Sequence, residues 1–208
     1  MADVRRLGVL ISGRGSNLQA IIDAVRAGGL DATIAVVISD QPGASGLERA
    51  RQAGIDARFL DPKEHPDRHA YDRALVEALT GRRVGLVCLA GFMRLVRQEL
   101  LEAFPDRILN IHPSLLPAFP GRRAQRQALD HGVRVSGATV HVVTARVDDG
   151  PIVAQAAVPV LDDDTEETLS ARILAEEHRI YVEAIRVVLE GRWKVIGRRF
   201  VRQAEPRP

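Results

Sequence analysis

The first half of the sequence alternates short apolar runs with longer amphipathic segments, and this order restricts the fold more than any other feature. The apolar runs predict five strands, over residues 7–11, 33–39, 57–60, 84–90 and 107–111. Helices are predicted between them, from a stripe at Leu18, Ile21, Ile22 and Val25 and over residues 45–53, 68–80 and 97–104. A strand–helix repeat of this kind predicts an α/β fold with a mostly parallel sheet and right-handed crossovers.

The second half of the sequence breaks this alternation. Residues 112–121 contain Pro113, Pro117 and Pro120, so they can form neither a central strand nor a helix interior and are predicted to be an ordered loop. Further elements are predicted after this loop: a helix over about 122–131, strands over 137–144 and 152–158, and a long helix over 165–189. The C-terminal half of the sheet is therefore expected to be mixed.

Composition excludes several classes of protein. The 29 basic and 27 acidic side chains nearly cancel, so no nucleic-acid partner is expected. Lys63 and Lys194 are the only lysines and lie outside glycine-rich loops, which argues against a Walker-type phosphate lysine. The single cysteine, Cys88, lies in an apolar run and is interpreted as a core thiol. The N-terminal apolar run is too short for a signal sequence or a membrane span, so a cytoplasmic location without a membrane partner is expected.

Segment 12–17, Ser-Gly-Arg-Gly-Ser-Asn, connects the first predicted strand to the first predicted helix. Backbone N–H groups and the dipole at a helix N-terminus attract anions, and glycine allows a phosphate to approach closely. Leu18 stands where the dinucleotide fingerprint has its third glycine, so a single phosphate is favoured over a pyrophosphate. The alternative is a tight turn in which Ser16 or Asn17 caps the helix.

Asn110 and His112 close the last strand of the parallel series, at the edge where open α/β sheets bind ligands. They are two residues apart, so in an extended chain they face the same side. An amide donor beside an imidazole suits acyl transfer to an amine, which needs both an oxyanion donor and proton exchange. Asp148, in the predicted turn 146–151, is expected to meet His112 and raise its pKa. The alternatives are a histidine that only hydrogen-bonds the proline loop and an ordinary Asp-Gly turn.

Two other polar clusters are interpreted as structural. His65 and His69 have a metal-like spacing, but no third ligand lies nearby, so a solvated helix start is preferred and no metal is expected. Asp164 and Glu167 are predicted to form a capping pair for the last helix.

A family resemblance rests on four segments. They are Ser-Gly-Arg-Gly-Ser-Asn at 12–17, Leu-Ala-Gly-Phe-Met-Arg at 89–94, Asn-Ile-His-Pro-Ser-Leu-Leu-Pro at 110–117 and Val-Asp-Asp-Gly-Pro at 147–151. Together they resemble the folate-dependent formyltransferase family, in the branch that formylates glycinamide ribonucleotide. The resemblance extends from about residue 7 to about residue 190, and the third and fourth segments in combination are specific to this family and its relatives.

The resemblance implies a Rossmann-like fold and transfer of the formyl group of 10-formyltetrahydrofolate, a cosubstrate, to the amine of glycinamide ribonucleotide in purine biosynthesis. The implied catalytic residues are Asn110, His112 and Asp148. Substrate contacts are implied for a phosphate-binding set and one further residue: Gly15, Ser16, Asn17 and Glu177. Folate contacts are implied for Arg68, Met93, Arg94, Leu95, Val96, Asn110, Ala145, Arg146 and Val147. One domain is expected, as a monomer or homodimer, with a phosphate-binding half over about 1–105 and a catalytic and folate-binding half over about 106–208.

The chain departs from the family pattern at two places. Arg122 and Arg123 stand where relatives usually carry a histidine shortly after a Pro-Gly pair, and Leu174 stands where some relatives have a polar residue. Contacts to the ribonucleotide or the folate tail are expected to differ there, although Arg123 is equally compatible with a solvated helix residue.

Three other functions fit part of the pattern. A formyltetrahydrofolate deformylase would use the same Asn, His and Asp with water, but generally carries a further N-terminal domain and a second histidine at the position of Pro113. A methionyl-tRNA formyltransferase needs an additional C-terminal domain for tRNA. A non-catalytic nucleotide-binding protein would need an acidic residue for a ribose, for which Asp40 is available, but it leaves His112 and Asp148 unexplained.

Overall fold

A computed structural model describes residues 3–203 of the chain and divides it into two compact units. The first unit runs to Asn110 and also contains Val143–Ala145. The second comprises Ile111–Val142 and the chain from Arg146 onward. The predicted α/β class, with a mostly parallel sheet flanked by helices, is confirmed.

The first unit is the alternating half of the chain. Its elements are β1 (Asp3–Ile11), α1 (Ser16–Arg26), β2 (Thr33–Ser39), α2 (Ser45–Gln52), β3 (Ala57–Phe59), a 3₁₀ turn (Pro62–Glu64), α3 (Arg68–Thr80), β4 (Val84–Leu89), α4 (Gln98–Ala103) and β5 (Ile108–His112), whose last two residues belong to the second unit. The strands are parallel in the order β3-β2-β1-β4-β5. The chain moves outward from β1 and then returns to its other side, and ligands bind at such a reversal of strand order.

One helix of the first unit anchors its hydrophobic core. Tyr71, Leu75 and Leu79 recur at four-residue spacing along α3 and cluster with Leu10 and Val87 of the sheet, and each is at most 2% exposed. Full burial of such a side chain contributes on the order of 1.5–3 kcal/mol. Cys88 is likewise buried, as its apolar surroundings predicted.

The second unit is built on antiparallel pairing. Its elements are α5 (Ala124–Asp130), β6 (Val135–Val142), β7 (Ile152–Pro159), α6 (Glu166–Leu189), β8 (Trp193–Ile196) and β9 (Arg199–Arg202). β6 and β7 are antiparallel, as are β8 and β9, whereas β9 lies parallel to β7 where Ile152 is opposite Arg199. The mixed sheet predicted for this half is therefore confirmed.

The start of α6 differs from the sequence-based expectation. Thr165 is the N-cap and forms a capping box with Thr168, whose hydroxyl accepts from the Thr165 amide. Asp164 is instead held by Arg172, whose guanidinium lies 2.7 Å from its carboxylate. The predicted Asp164–Glu167 cap is therefore wrong, because a cation in the second turn of the helix competes for the aspartate.

Among residues 3–203, none of the helices is both long and apolar enough to cross a membrane.

Candidate active site

The loop between β1 and α1 has a conformation that suits an anion. The N-cap of α1 is Gly15 in the left-handed region, with φ of 72°, and it makes no side-chain capping bond. The alternative in which Ser16 or Asn17 caps the helix is therefore wrong. The first N–H groups of a helix have no intrahelical acceptors and carry the positive end of its dipole. This loop can therefore receive a phosphate group through its backbone.

Close packing against the start of α2 makes glycine necessary at one position of the loop. A Cβ atom at Gly15 would lie 2.6 Å from the Cα atom of Gly46, closer than van der Waals contact allows. The Gly46 amide donates to the carbonyl of Gly13 over 3.1 Å and so links the loop to α2. At Gly13 an added Cβ would meet no atom within 4 Å. Packing and the positive φ therefore require glycine at position 15 but not at position 13.

Ser12 connects the loop to neighbouring strand ends. Its hydroxyl donates to the buried Asp40 carboxylate over 2.6 Å and accepts from the Met93 amide over 2.9 Å. Asp40 also accepts from the side-chain amide of Gln41 at 3.2 Å. The Asp40 carboxylate therefore supports the loop through Ser12, whereas in a nucleotide-binding protein it would have to face a ribose.

The segment after β4 presents several residues for which folate contacts were predicted. Met93 and Leu95 are each 60% exposed, so their apolar side chains are open to solvent. The Arg94 guanidinium lies over the ring of Tyr71, 4.8 Å from its centroid, in a cation–π contact. Val96 packs against the core cluster instead. The exposed apolar side chains and the oriented cation are able to contact an aromatic, anionic ligand.

The remaining predicted contacts lie in three places. Arg68 is exposed as the first residue of α3. Ala145, Arg146 and Val147 are all exposed on the connection between β6 and β7. Glu177 is buried in the middle of α6, which is unusual for a carboxylate.

His112 and Asp148 are brought together by the structure. His112 ends β5 and is 5% exposed. Its Nε2 lies 2.9 Å from the carbonyl oxygen of Phe119, and since a carbonyl only accepts, Nε2 carries the proton of this bond. Its Nδ1 lies 3.4 Å from Oδ2 of Asp148. The half-buried Asn110 precedes His112 by two residues on the same strand and therefore faces the same side.

The Asp148 carboxylate has further partners besides His112. The backbone amide of Gly121, in the proline-rich loop, donates to its Oδ2 over 2.7 Å. Nε2 of His141, on β6, lies 3.6 Å from Oδ1, while Nδ1 of that ring lies 3.0 Å from the carbonyl of Val142. Sequence reasoning missed His141. Its one signal is a basic, hydrogen-bonding side chain inside the apolar run 138–143.

Asp148 raises the pKa of His112, as the sequence predicted, but the net shift of this pKa is downward. Burial lowers the pKa of His112 below its ordinary value of 6.5, and the opposing contributions of Asp148 and the Phe119 carbonyl are smaller. Burial alone would raise the pKa of Asp148, but hydrogen bonds from His141 and the Gly121 amide lower it below 3.8. At neutral pH the site therefore holds a neutral imidazole beside an ionised carboxylate.

The geometry of this pair allows it to exchange a proton with a bound ligand. Because Nε2 donates to Phe119, Nδ1 is the nitrogen of His112 that gains or loses a proton, and it does so beside Asp148. A neutral imidazole accepts a proton, and the resulting imidazolium is stabilised by the neighbouring negative charge. Within residues 3–203, no group of three or more His, Cys, Asp or Glu side chains is placed to hold a metal ion.

Comparison with known proteins places this chain among formyl transferases. The formyl transferase family model matches residues 5–185. Phosphoribosylglycinamide formyltransferase of Escherichia coli is 46% identical over 90% of this chain and 88% of its own length. The crystal structure of glycinamide ribonucleotide transformylase 1 from Symbiobacterium toebii is 63% identical, with a TM-score of 0.95 over 97% of this chain and 95% of the other.

Two other similarities set limits on the comparison. The trifunctional purine biosynthetic protein adenosine-3 of Drosophila melanogaster is 48% identical over 90% of this chain, which spans only 14% of that longer protein. A formyltetrahydrofolate deformylase from Pseudomonas syringae has a TM-score of 0.89 but is only 27% identical, and the match covers 67% of its length. The fold alone therefore does not separate a transferase from a hydrolase.

Proposed function

Because the chain belongs to the formyl transferase family, we propose that it transfers the formyl group of 10-formyltetrahydrofolate to the amine of glycinamide ribonucleotide. The observation that carries this proposal is the pair of the buried His112 and the half-buried Asp148, with Asn110 on the same strand as His112. Similarity along most of the chain to proteins named phosphoribosylglycinamide formyltransferase and glycinamide ribonucleotide transformylase supports the choice of substrate.

The ribonucleotide phosphate binds at the loop between β1 and α1. Gly15 allows the close approach of the anion, and the backbone amides of Ser16 and Asn17 donate to its oxygens. Glu177 is a buried carboxylate and binds a neutral or cationic group of the ribonucleotide. The folate contacts Arg68, the 93–96 segment and the 145–147 connection, where exposed apolar side chains and arginines suit its aromatic ring and its carboxylates.

In the first chemical step the substrate amine attacks the formyl carbon, so a new C–N bond forms and the carbonyl oxygen becomes an oxyanion. The side-chain amide of Asn110 donates to this oxygen. The attacking nitrogen then carries an extra proton, which His112 accepts because it is neutral at rest.

In the second step the bond between the formyl carbon and N10 of the folate breaks. The imidazolium of His112, stabilised by Asp148, stabilises the oxyanion and supplies the proton that N10 requires to leave. The products are formylglycinamide ribonucleotide and tetrahydrofolate, and no covalent enzyme intermediate is formed.

Consumption of the formyl donor, measured with and without glycinamide ribonucleotide, tests the proposed function. Consumption that requires the ribonucleotide is the expected result. Equal consumption in its absence would show a deformylase, which uses water in place of the amine. No consumption under either condition would leave a nucleotide-binding protein without formyl-transfer activity.

A further inference from the structure

The C-terminal hairpin contacts the turn that carries Asp148. The tight turn at Gly197 places Arg198 between β8 and β9, and its guanidinium donates to both carboxylate oxygens of Asp149, over 2.8 and 2.9 Å. We propose that Arg198 is a positioning residue that fixes the 146–151 turn, and through it the distance between Asp148 and His112. Arg198 lies beyond residues 5–185, the part of the chain that the family model matches.

The turn needs such a contact because its backbone has an uncommon conformation at Asp148, the residue that faces His112. Asp148 has φ of 51°, in the left-handed region, which residues other than glycine adopt uncommonly, although aspartate does so more often than most. A conformation of this kind persists only where the surrounding structure holds it. Asp149 is the next residue, so a contact that fixes its carboxylate also restricts the backbone of Asp148.

Close contacts already hold Gly150 and the side chain of Asp148. A Cβ atom at Gly150 would lie 1.7 Å from the carbonyl oxygen of Val142, so the backbone there is packed tightly against β6. The Gly121 amide binds the Asp148 side chain over 2.7 Å. Arg146 approaches the Asp149 carboxylate less closely, at 3.9 Å. Arg198 therefore supplies the one two-bonded contact to the middle of the turn among those that the structure describes.

The hairpin that carries Arg198 is itself held in place by several contacts. The indole N–H of Trp193 donates to the carbonyl of Val188 at the end of α6, over 3.0 Å. The rings of Trp193 and Phe200 stack at 4.9 Å. Arg199, beside Arg198, is paired with Ile152 of β7. A guanidinium that binds a carboxylate through two parallel bonds restricts orientation as well as distance, which a single-point contact does not.

Loss of Arg198 is expected to slow the transfer step without weakening binding of the ribonucleotide. The side chain is 67% exposed and its described hydrogen bonds go to Asp149, so the effect should be moderate, about three- to tenfold in kcat. KM for the ribonucleotide should remain within about twofold of the parental value, because the 12–17 loop is unaltered.

Four variants test this role: Arg198→Gln, Asp149→Asn, the double variant and Arg198→Lys. If the two side chains act as one contact, the double variant loses no more kcat than either single variant. Arg198→Lys keeps the positive charge but cannot form the two parallel hydrogen bonds, so its kcat should lie between those of the parental protein and Arg198→Gln. Arg126→Gln is the matched control, since it removes another exposed Arg–Asp pair of the same unit, with Asp130 at 2.9 Å, and should leave kcat unchanged.

The inference rests on the proposed function, so a second readout is independent of activity. Hydrogen–deuterium exchange of the peptide spanning residues 146–151 should be faster in Arg198→Gln than in the parental protein and in Arg126→Gln, at an unchanged melting temperature. Parental kcat and parental exchange in Arg198→Gln would overturn the positioning role. Inactivity of the parental protein with both substrates would overturn the proposed function instead, and would leave the exchange result to decide whether Arg198 fixes the turn.

Discussion

The 12–17 loop and the 146–151 turn achieve their roles by different means. In the proposed function the loop binds phosphate through backbone amides, and its requirement is steric, since only glycine fits at position 15 beside Gly46. In the proposed function the turn acts through the Asp148 side chain, and its requirement is electrostatic, since a half-buried carboxylate must be kept ionised beside a neutral His112. A binding loop can therefore depend on how closely its backbone packs, whereas a proton-transfer site depends on the charged and polar side chains around its ionisable groups.

The largest effect is expected for substitutions of Asp148, in the turn, and of His112, which faces it. His112→Ala and Asp148→Asn should each lower kcat by about a hundredfold or more, because each removes a charge or proton carrier that acts in the transition state. Binding of the ribonucleotide, measured by calorimetry, should stay close to the parental affinity. If either variant kept a near-parental kcat, the side-chain mechanism assigned to this region would be wrong.

A steric change in the loop should produce the opposite kinetic pattern. Gly15→Ala places a Cβ atom 2.6 Å from Gly46 at a positive φ, so about 1–3 kcal/mol of strain is expected. If the strain is relieved by displacing the loop, KM for the ribonucleotide should rise between roughly fivefold and a hundredfold, with a smaller change in kcat.

Gly13→Ala is the matched control for this prediction. Its added Cβ meets no atom within 4 Å and its φ is not in the left-handed region, so its steady-state constants should stay near parental. An equal rise in KM for both variants would mean that general disturbance of the loop, and not the packing at Gly15, determines binding.

A smaller effect is expected at His141, which supports the turn from β6. His141→Gln removes the ring that faces Oδ1 of Asp148 and helps to lower the pKa of that carboxyl. The expected result is a fall in kcat of about threefold to thirtyfold with KM unchanged. A loss confined to KM would instead assign His141 to substrate binding.

The smallest expected change is a shift in the pKa of His112. The resonance of the His112 ring, followed by NMR, should titrate with a midpoint below 6.5, because burial disfavours the imidazolium. In Asp148→Asn the contribution that raises this pKa is lost, so the midpoint should move further down and the neutral form should persist to lower pH. A midpoint above 6.5 in the parental protein would mean that Asp148 outweighs burial, as the sequence alone had suggested.

Much of the fold could be predicted because it is encoded in periodicity. The strand predicted over 33–39 is β2, and the helix predicted over 68–80 is α3, since their apolar spacing differs clearly. The hairpin of β8 and β9 was missed because its strands are four residues long and largely exposed. The cap of α6 was misassigned because Arg172, two turns into the helix, binds Asp164.

The candidate site was predictable only in its residue types. His112 and Asp148 could be named from their positions at a strand end and in a turn, and the structure places them 3.4 Å apart. The direction of the His112 pKa could not be predicted, because it depends on burial that no local pattern reveals. His141 and Arg198 were missed for a similar reason, since each reaches Asp148 or Asp149 only through the folded arrangement of strands.

Transfer of the formyl carbon itself can be followed by isotopic labelling. The donor would carry ¹³C in its formyl group, and NMR would identify the labelled product formed with parental protein and with His112→Ala in the presence of glycinamide ribonucleotide. The expected result is label on the amine of the ribonucleotide with parental protein and almost none with His112→Ala. Label released as formate, or equal transfer by both proteins, would contradict a transferase that depends on the His112–Asp148 pair.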